Sequence, residues 1–314
     1  MAQFTLEDRC RGCLLGLALG DALGAPFEGI DAYGIYSAFG PTRKIVDHPP
    51  VDALFYTDDT QMMIGVAEAL LADGAIVEHT LVSRFAHHFD PDRGYGPATR
   101  QVIEAAKCGG DWRHLSETLL SGGSLGNGAA MRVAPVGLVF RNDLDRVWRE
   151  AERSAWPTHR HPVGIEGAQL VAHAVAIACR GEPFDRVGFF HELHARAKTP
   201  EFQYQLDIAA KLGDDDSIAP FGSTLRADES VVTALACFAF SPNSYQDTVA
   251  RAIGLGGDTD TVAAMAGAIS GAFLGIDAVP AYLLRMLEDG AVGRSHIDDL
   301  ASRLAWHWPF SSGT

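Results

Sequence analysis

The chain has 314 residues, 47% hydrophobic and 21% charged, enough to bury a large core. Its formal net charge of −15 argues against general nucleic-acid binding, because phosphates are repelled across the whole surface. An anionic ligand must therefore be held locally, by backbone N–H groups, helix N-termini or isolated cations.

Five cysteines (Cys10, Cys13, Cys108, Cys179, Cys237) are too few, and odd in number, for a disulfide framework. Cys10 and Cys13 form a C-x-x-C, but no second Cys or His pair follows at zinc spacing. They read as helix-face thiols. The opening residues MAQFTLEDRC are polar, and no uncharged apolar run approaches the roughly 20 residues of a membrane span. A reduced, cytoplasmic setting without a membrane partner is expected, with the chain acting as a monomer.

In chain order, the first element is a helix. Leu6, Cys10, Cys13, Leu14, Leu17 and Ala18 keep helical spacing, while Gly12, Gly16, Gly20 and Gly24 recur every fourth residue. Each glycine costs a helix roughly 1 kcal/mol relative to alanine. Close packing of this smooth stripe on another backbone would compensate, so the helix should be central. A short hairpin over 43–46 and 51–55 is the most β-structure the pattern allows. Helical periods follow at 61–71, 78–89, 97–107, 112–120, 129–140, 143–155, 164–180 and 184–197. The last are at 201–211, 229–240, 245–253, 260–274, 280–287 and 296–306. No strand–helix alternation appears, so the fold class is all-α, a compact single-domain orthogonal helical bundle over residues 1–314. Short Pro/Gly segments at 40–50, 91–97, 121–128 and 213–222 read as loops on this scaffold. Asp214-Asp215-Asp216 reads as a solvated loop after a helix end.

Two acidic motifs each precede an apolar helix: Thr57-Asp58-Asp59-Thr60, and Gly257-Asp258-Thr259-Asp260-Thr261. Capping explains one side chain at each helix start, but not neighbouring carboxylates that repel without a cation. Two such motifs point to a metal centre. Carboxylate and hydroxyl oxygens suit Mg²⁺ or Mn²⁺ better than Zn²⁺. Four Asp charges are balanced by two divalent ions, so a central binuclear site is expected, with Thr57 and Thr261 adding neutral oxygens. Ser121-Gly122-Gly123-Ser124-Leu125-Gly126-Asn127-Gly128 reads as a glycine-rich turn opening a helix at Ala129, able to cradle a phosphate. Glu28, beside Pro26 and Phe27, reads as a candidate acid–base group. His159 and His161 belong either to a surface loop capped by Thr158 or to a ligand-binding segment.

Together these pieces resemble the ADP-ribosylglycohydrolase family. The matching motifs are Gly20-Asp21-Ala22-Leu23-Gly24 with Glu28, Thr57-Asp58-Asp59-Thr60, Gly126-Asn127-Gly128-Ala129-Ala130-Met131-Arg132, Thr158-His159 and Gly257-Asp258-Thr259-Asp260-Thr261. They run in the family's order across most of the chain. The resemblance implies an all-α fold holding two Mg²⁺ (or Mn²⁺) ions and hydrolysis at C1″ of the distal ribose. It implies Thr57, Asp58, Asp59, Asp258, Asp260 and Thr261 as metal ligands, and Glu28 with Asp59 as catalytic groups. Gly123, Ser124, Leu125, Gly126 and Asn127 would border the diphosphate and ribose. His159 would line the adenosine side, and Gly94, Tyr95 and Gly96 would complete the substrate site.

Arg93-Gly94-Tyr95-Gly96, Met131-Arg132-Val133-Ala134 and Glu229-Ser230-Val231 are most similar to the branch that acts on ADP-ribosyl-serine. That branch flanks the glycine-rich loop with aromatic residues, where this chain has Leu119 and Leu125. The implied partner is ADP-ribose or an ADP-ribosylated protein. The alternatives are an ADP-ribosyl-arginine hydrolase, a metal-dependent phosphohydrolase cutting the diphosphate, and a non-catalytic ADP-ribose-binding module.

Overall fold

The protein is described by a computed structural model covering residues 5–308; the first part of the polar N-terminal stretch lies outside the described residues. The helices, in order, are α1 (Leu6–Gly24), α2 (Ala32–Phe39), α3 (Thr42–Asp47), α4 (Asp58–Asp73), α5 (Glu78–His88), α6 (Pro97–Lys107), α7 (Trp112–Thr118), α8 (Ala134–Val139) and α9 (Leu144–Ala155). They continue with α10 (Pro162–Cys179), α11 (Arg186–Arg196), α12 (Pro200–Lys211), α13 (Ala227–Ala239), α14 (Tyr245–Gly254), α15 (Thr259–Leu274), α16 (Ala281–Met286) and α17 (Arg294–His307). Among the described residues, β-pairing is limited to isolated bridges.

The glycine stripe of α1 is the axis of the bundle. A β-carbon at Gly12 would lie 2.3 Å from the Gly271 carbonyl oxygen, and one at Gly20 would lie 2.2 Å from that of Ala263. At Gly24 it would meet the Thr259 carbonyl at 2.5 Å. The partner α15 supplies its own glycines, Gly267 and Gly271, against Gly16 and Gly12. The two helices therefore run antiparallel in direct backbone contact. The C-terminal end of α1 abuts the first turn of α15. Both are buried on nearly every side, and α10, α13, α14 and α17 pack around them.

One continuous apolar core joins these helices to α4 and α8. A small satellite of Val82, Val102 and Trp112 lies between α5, α6 and α7. Helix α10, which contains Glu166, is long and apolar enough to cross a membrane by length and composition, but 78% of it is buried inside the protein. It is a core helix here. Cys10, Cys13, Cys179 and Cys237 are buried free thiols, and Cys108 is exposed.

Three local expectations are corrected. Residues 42–47, read as one arm of a hairpin, form helix α3, and 51–55 makes bends with one bridge from Leu54 to Leu287. Ile45 and Val46 suggested a strand, but both are buried against the bundle within a single helical stretch starting after Pro41. Helix α2 was not anticipated. Its apolar residues Ala32, Ile35, Tyr36 and Phe39 keep helical spacing, but the helix is only eight residues long and buries Ile35 alone. The predicted helix 129–140 begins only at Ala134. The Asn127 carbonyl accepts from Ala130 N–H (2.7 Å) and Met131 N–H (3.1 Å), forming a turn, and Pro135 then starts the helix.

Candidate active site

The seam of α1 and α15 places Asp21 beside the N-termini of α15 and α4. Asp21 is fully buried and its two oxygens accept from the whole α4 entry: Thr57 N–H (3.0 Å), Thr57 Oγ1 (2.8 Å), Thr60 N–H (3.1 Å) and Thr60 Oγ1 (2.5 Å). The segment before α4 is pinned from the other side. Tyr56 N–H donates to Glu288, and Arg93 pairs with Glu288 while donating to the Tyr56 carbonyl.

Asp58 and Asp59 occupy the first turn of α4. Thr57 is its N-cap, so that position is indeed a cap. Asp258, at the N-cap position of α15, makes no capping bond. Its carboxylate accepts from Asn127 Nδ2 instead, and Asn127 also donates to Ser230 Oγ at 3.0 Å. The turn before Asp258 requires glycine: Gly256 and Gly257 have φ of +70° and +77°, and a β-carbon on Gly257 would lie 2.3 Å from the Ser223 carbonyl.

The carboxylates converge. One oxygen each from Asp21, Asp59 and Asp260 lies within a 4.8 Å set, and one each from Glu28, Asp258 and Asp260 forms a second set of the same span. Among the described residues none of these groups is ion-paired. Burial, then the Asp21 charge, pushes Asp58 up to about 8, and burial with Asp258 pushes Asp260 up to about 9. Asp21 rises to about 6, held back by the Thr57 and Thr60 donors. Asp59 and Asp258 are also raised by burial, and the half-exposed Glu28 by burial and then Asp258.

The arrangement calls for cations or protons. The donor set fits hard divalent cations. All donors are oxygens, and the buried Asp59 Oδ1 has no hydrogen-bond partner among the described residues. Asp21 is near Asp59 and Asp260, but its lone pairs are already occupied, so it holds α4 in place rather than offering a ligand atom.

Above these groups lies a cavity of about 440 Å³. Its acidic floor is Glu28, Thr57, Asp58, Asp59, Asp258, Asp260 and Thr261. One wall is the loop 94–96 with the first turn of α6, where Tyr95 is buried and donates to Gln61 Oε1 at 2.7 Å. The other is Ser124, Gly126, Asn127, Gly128, Met131 and His159. The exposed Leu225 stands at the edge. Of the residues expected here, Gly123 and Leu125 are not brought to the lining. Gly123, at φ +84°, packs where a β-carbon would lie 2.4 Å from His161 N, and Leu125 turns onto the main core. Leu119 packs on the satellite cluster. The turn at 127–131 also corrects the idea of a helix opening at Ala129: the N–H groups of Ala130 and Met131 bond to the Asn127 carbonyl in a turn instead.

His161 caps α10, accepting from Val163 N–H. Asp214 pairs with Arg186 and Asp216 accepts from Gly213 N–H, away from the cavity. A wider groove of about 660 Å³ between α2, α3 and α14 contains none of the candidate residues.

Sequence reasoning missed the roles of Asp21, Arg132 and Leu225. The first two carried a signal: each is a lone charge in an otherwise apolar run, LALGDALG and GAAMRVAPVG.

The profile of the ADP-ribosylglycohydrolase family matches residues 2–310. ADP-ribosylhydrolase ARH3 of Homo sapiens is 34% identical, with 87% of each chain covered. An uncharacterized protein of Archaeoglobus fulgidus is 32% identical over 95% of this chain and 96% of its own. A solved structure described as an ADP-ribosylglycohydrolase-related protein complex superimposes with a TM-score of 0.75 at 29% identity, covering 96% of this chain and 98% of the other. The chain therefore belongs to the ADP-ribosylglycohydrolase family and is a glycosidic-bond hydrolase.

Proposed function

We propose that the enzyme cleaves the C1″ glycosidic bond of O-linked ADP-ribose, with ADP-ribosyl-serine in proteins the favoured substrate and two Mg²⁺ (or Mn²⁺) ions as cofactors. The observation that carries this reading is the convergence of Asp59, Asp258, Asp260 and Glu28 beneath a single cavity, with Asp59 Oδ1 unpartnered. The relatives named ADP-ribosylhydrolase support the ADP-ribosyl group as ligand. The motifs at 93–96, 131–134 and 229–231 favour an O-linked acceptor, and Ser230 has a job beside the site as the partner of Asn127.

Thr57, Asp58, Asp59, Asp258, Asp260 and Thr261 would hold the ions. When bound, such ions supply Lewis acidity and fix hydroxyl groups in place. The protein's own contributions follow from the geometry. Ser124, Gly126 and His159 would border the ligand on one side, and Tyr95 with the loop 94–96 and the first turn of α6 on the other. The anionic floor stabilises the positive charge that develops on an oxocarbenium-like ribose. Glu28, half-exposed with a raised pKa, passes a proton to the leaving oxygen or takes one from water. Five free thiols suit a cytoplasmic setting.

The test is a panel of defined ADP-ribosyl linkages with each metal. Release of intact ADP-ribose from serine is expected. Release of AMP would place the cut at the diphosphate, and preference for the arginine linkage would move the enzyme to the other branch. Glu28→Gln should lower turnover by roughly 10²–10⁴ while ADP-ribose still binds. Full turnover in that variant would remove Glu28 from the mechanism.

A further inference from the structure

The Arg132 side chain is fully buried and forms no salt bridge among the described residues. Its guanidinium lies over the Phe85 ring at 4.8 Å. Nη1 points to Met62 Sδ (3.7 Å), and Nη2 donates to the Ser154 carbonyl (2.7 Å) and to Thr158 Oγ1 (2.9 Å). Thr158 Oγ1 in turn lies 2.8 Å from His159 Nδ1. A guanidinium can only donate, so the Thr158 oxygen accepts that bond. The single Thr158 hydroxyl hydrogen then has one acceptor within reach among the described residues, His159 Nδ1. A nitrogen that accepts carries no proton, so in the neutral ring the proton sits on Nε2.

The Nε2 edge of the ring faces the loop 126–128. β-carbons built at Gly128 and Gly126 would lie 3.1 Å and 3.6 Å from Nε2, and no described residue accepts from it. His159 lines the cavity. Burial, then the Arg132 charge, holds its pKa down at about 3, consistent with a neutral ring.

We propose that Arg132 is a positioning residue: acting through Thr158, it fixes His159 as the neutral Nε2–H tautomer and so presents the cavity with one oriented, uncharged donor for a phosphate or ribose oxygen. The identity of that oxygen rests on the function proposed above; the tautomer does not. A ring fixed this way neither repels the cations of the floor nor competes with Glu28 as a proton carrier.

Long-range ¹H–¹⁵N spectra of histidine-labelled full-length protein read the tautomer directly, without ligand. The wild type should show a protonated Nε2 and an unprotonated Nδ1. Thr158→Val, which removes the hydroxyl but keeps the shape, should lose the fixed tautomer and weaken ADP-ribose binding about two- to tenfold by calorimetry, the scale of one hydrogen bond. Thr158→Ser should restore both. Arg132→Met should release the tautomer as well, with circular dichroism confirming that it folds; if it does not, the Thr158 pair carries the test. His159→Gln, whose amide can donate from the Nε2 side, should bind ADP-ribose better than His159→Asn. A protonated Nδ1 in the wild type, or a folded Arg132→Met or Thr158→Val variant with the wild-type tautomer, overturns the proposal. Failure of the wild type to bind ADP-ribose would overturn the proposed ligand and leave the tautomer result standing.

Discussion

The seam between α1 and α15 makes a paired prediction. Gly12→Ala and Gly20→Ala introduce the same steric fault, with β-carbons 2.3 Å and 2.2 Å from a facing backbone carbonyl oxygen. A carbon–oxygen contact needs about 3.3 Å, so each variant is short by about 1 Å. The obstacle is backbone, so no side-chain rotation relieves it and the helices must part. Overpacking of this kind costs about 1–3 kcal/mol, against a helix-propensity gain of about 1 kcal/mol for alanine. The absence of a yielding side chain favours the upper end, a net loss of about 2 kcal/mol, or about 3 °C in Tm for a chain of this size.

The two sites differ in place. Eight residues separate them along α1, about 12 Å, and Gly20 is next to Asp21 and near the first turn of α15. Calorimetric or fluorescence melting should therefore show similar losses for both variants. Hydrolysis assays should show a much larger loss, more than tenfold relative to Gly12→Ala, for Gly20→Ala, since misplacement by 1 Å can cost 10²-fold in rate. An unchanged or raised Tm in both variants would refute the packing argument. Equal activity losses would refute the claim that this seam sets the spacing of the acidic floor.

Protons and metal ions should compete for the floor. Asp21, Asp58 and Asp260 have folded pKa values raised to about 6, 8 and 9 from 3.8, so the folded protein binds more protons than the unfolded chain across that window. Stability of the metal-stripped protein should fall as pH rises from about 4 to about 9, and added Mg²⁺ or Mn²⁺ should reverse the loss. Melting curves across pH with chelator and with metal check this, and a metal-stripped protein most stable at pH 9 contradicts it. Asp21→Ala removes the acceptor for four donors of the α4 entry and should weaken metal binding by titration calorimetry, although Asp21 itself offers no ligand atom. Wild-type metal affinity in that variant would show that α4 is placed by other contacts.

Much of this arrangement was legible in the residues. The i, i+4 glycines announced a backbone seam, because no other arrangement compensates four glycines in one helix, and Gly12 to Gly24 meet α15 as that logic requires. The acidic motifs announced themselves because a cap uses one side chain and each motif offers two carboxylates. What stayed hidden depends on tertiary context. Helix α2 keeps helical spacing at Ala32, Ile35, Tyr36 and Phe39, but it spans only eight residues between Gly29 and Gly40, exposes Tyr36 and Phe39 and buries only Ile35, so its short period did not stand out from the loops around it. The turn at Asn127 interrupts an alanine-rich segment of good helix propensity because its carbonyl captures two N–H groups while Asn127 Nδ2 reaches Asp258. Asp21 and Arg132 stood out only as isolated charges, and their partners lie 36 or more and 22 or more residues away in sequence.

A glycine-on-glycine interface also limits what redesign can do. Where two helices meet through side chains, their separation can be tuned by exchanging one apolar residue for another of different length. Along the glycine stripe of α1 there is no side chain to exchange, and every substitution there is an insertion against the α15 backbone. The distance between the floor's two halves is thus a fixed length, and altering metal preference must come from the loops at 28–31, 222–226 and 255–258 around its end.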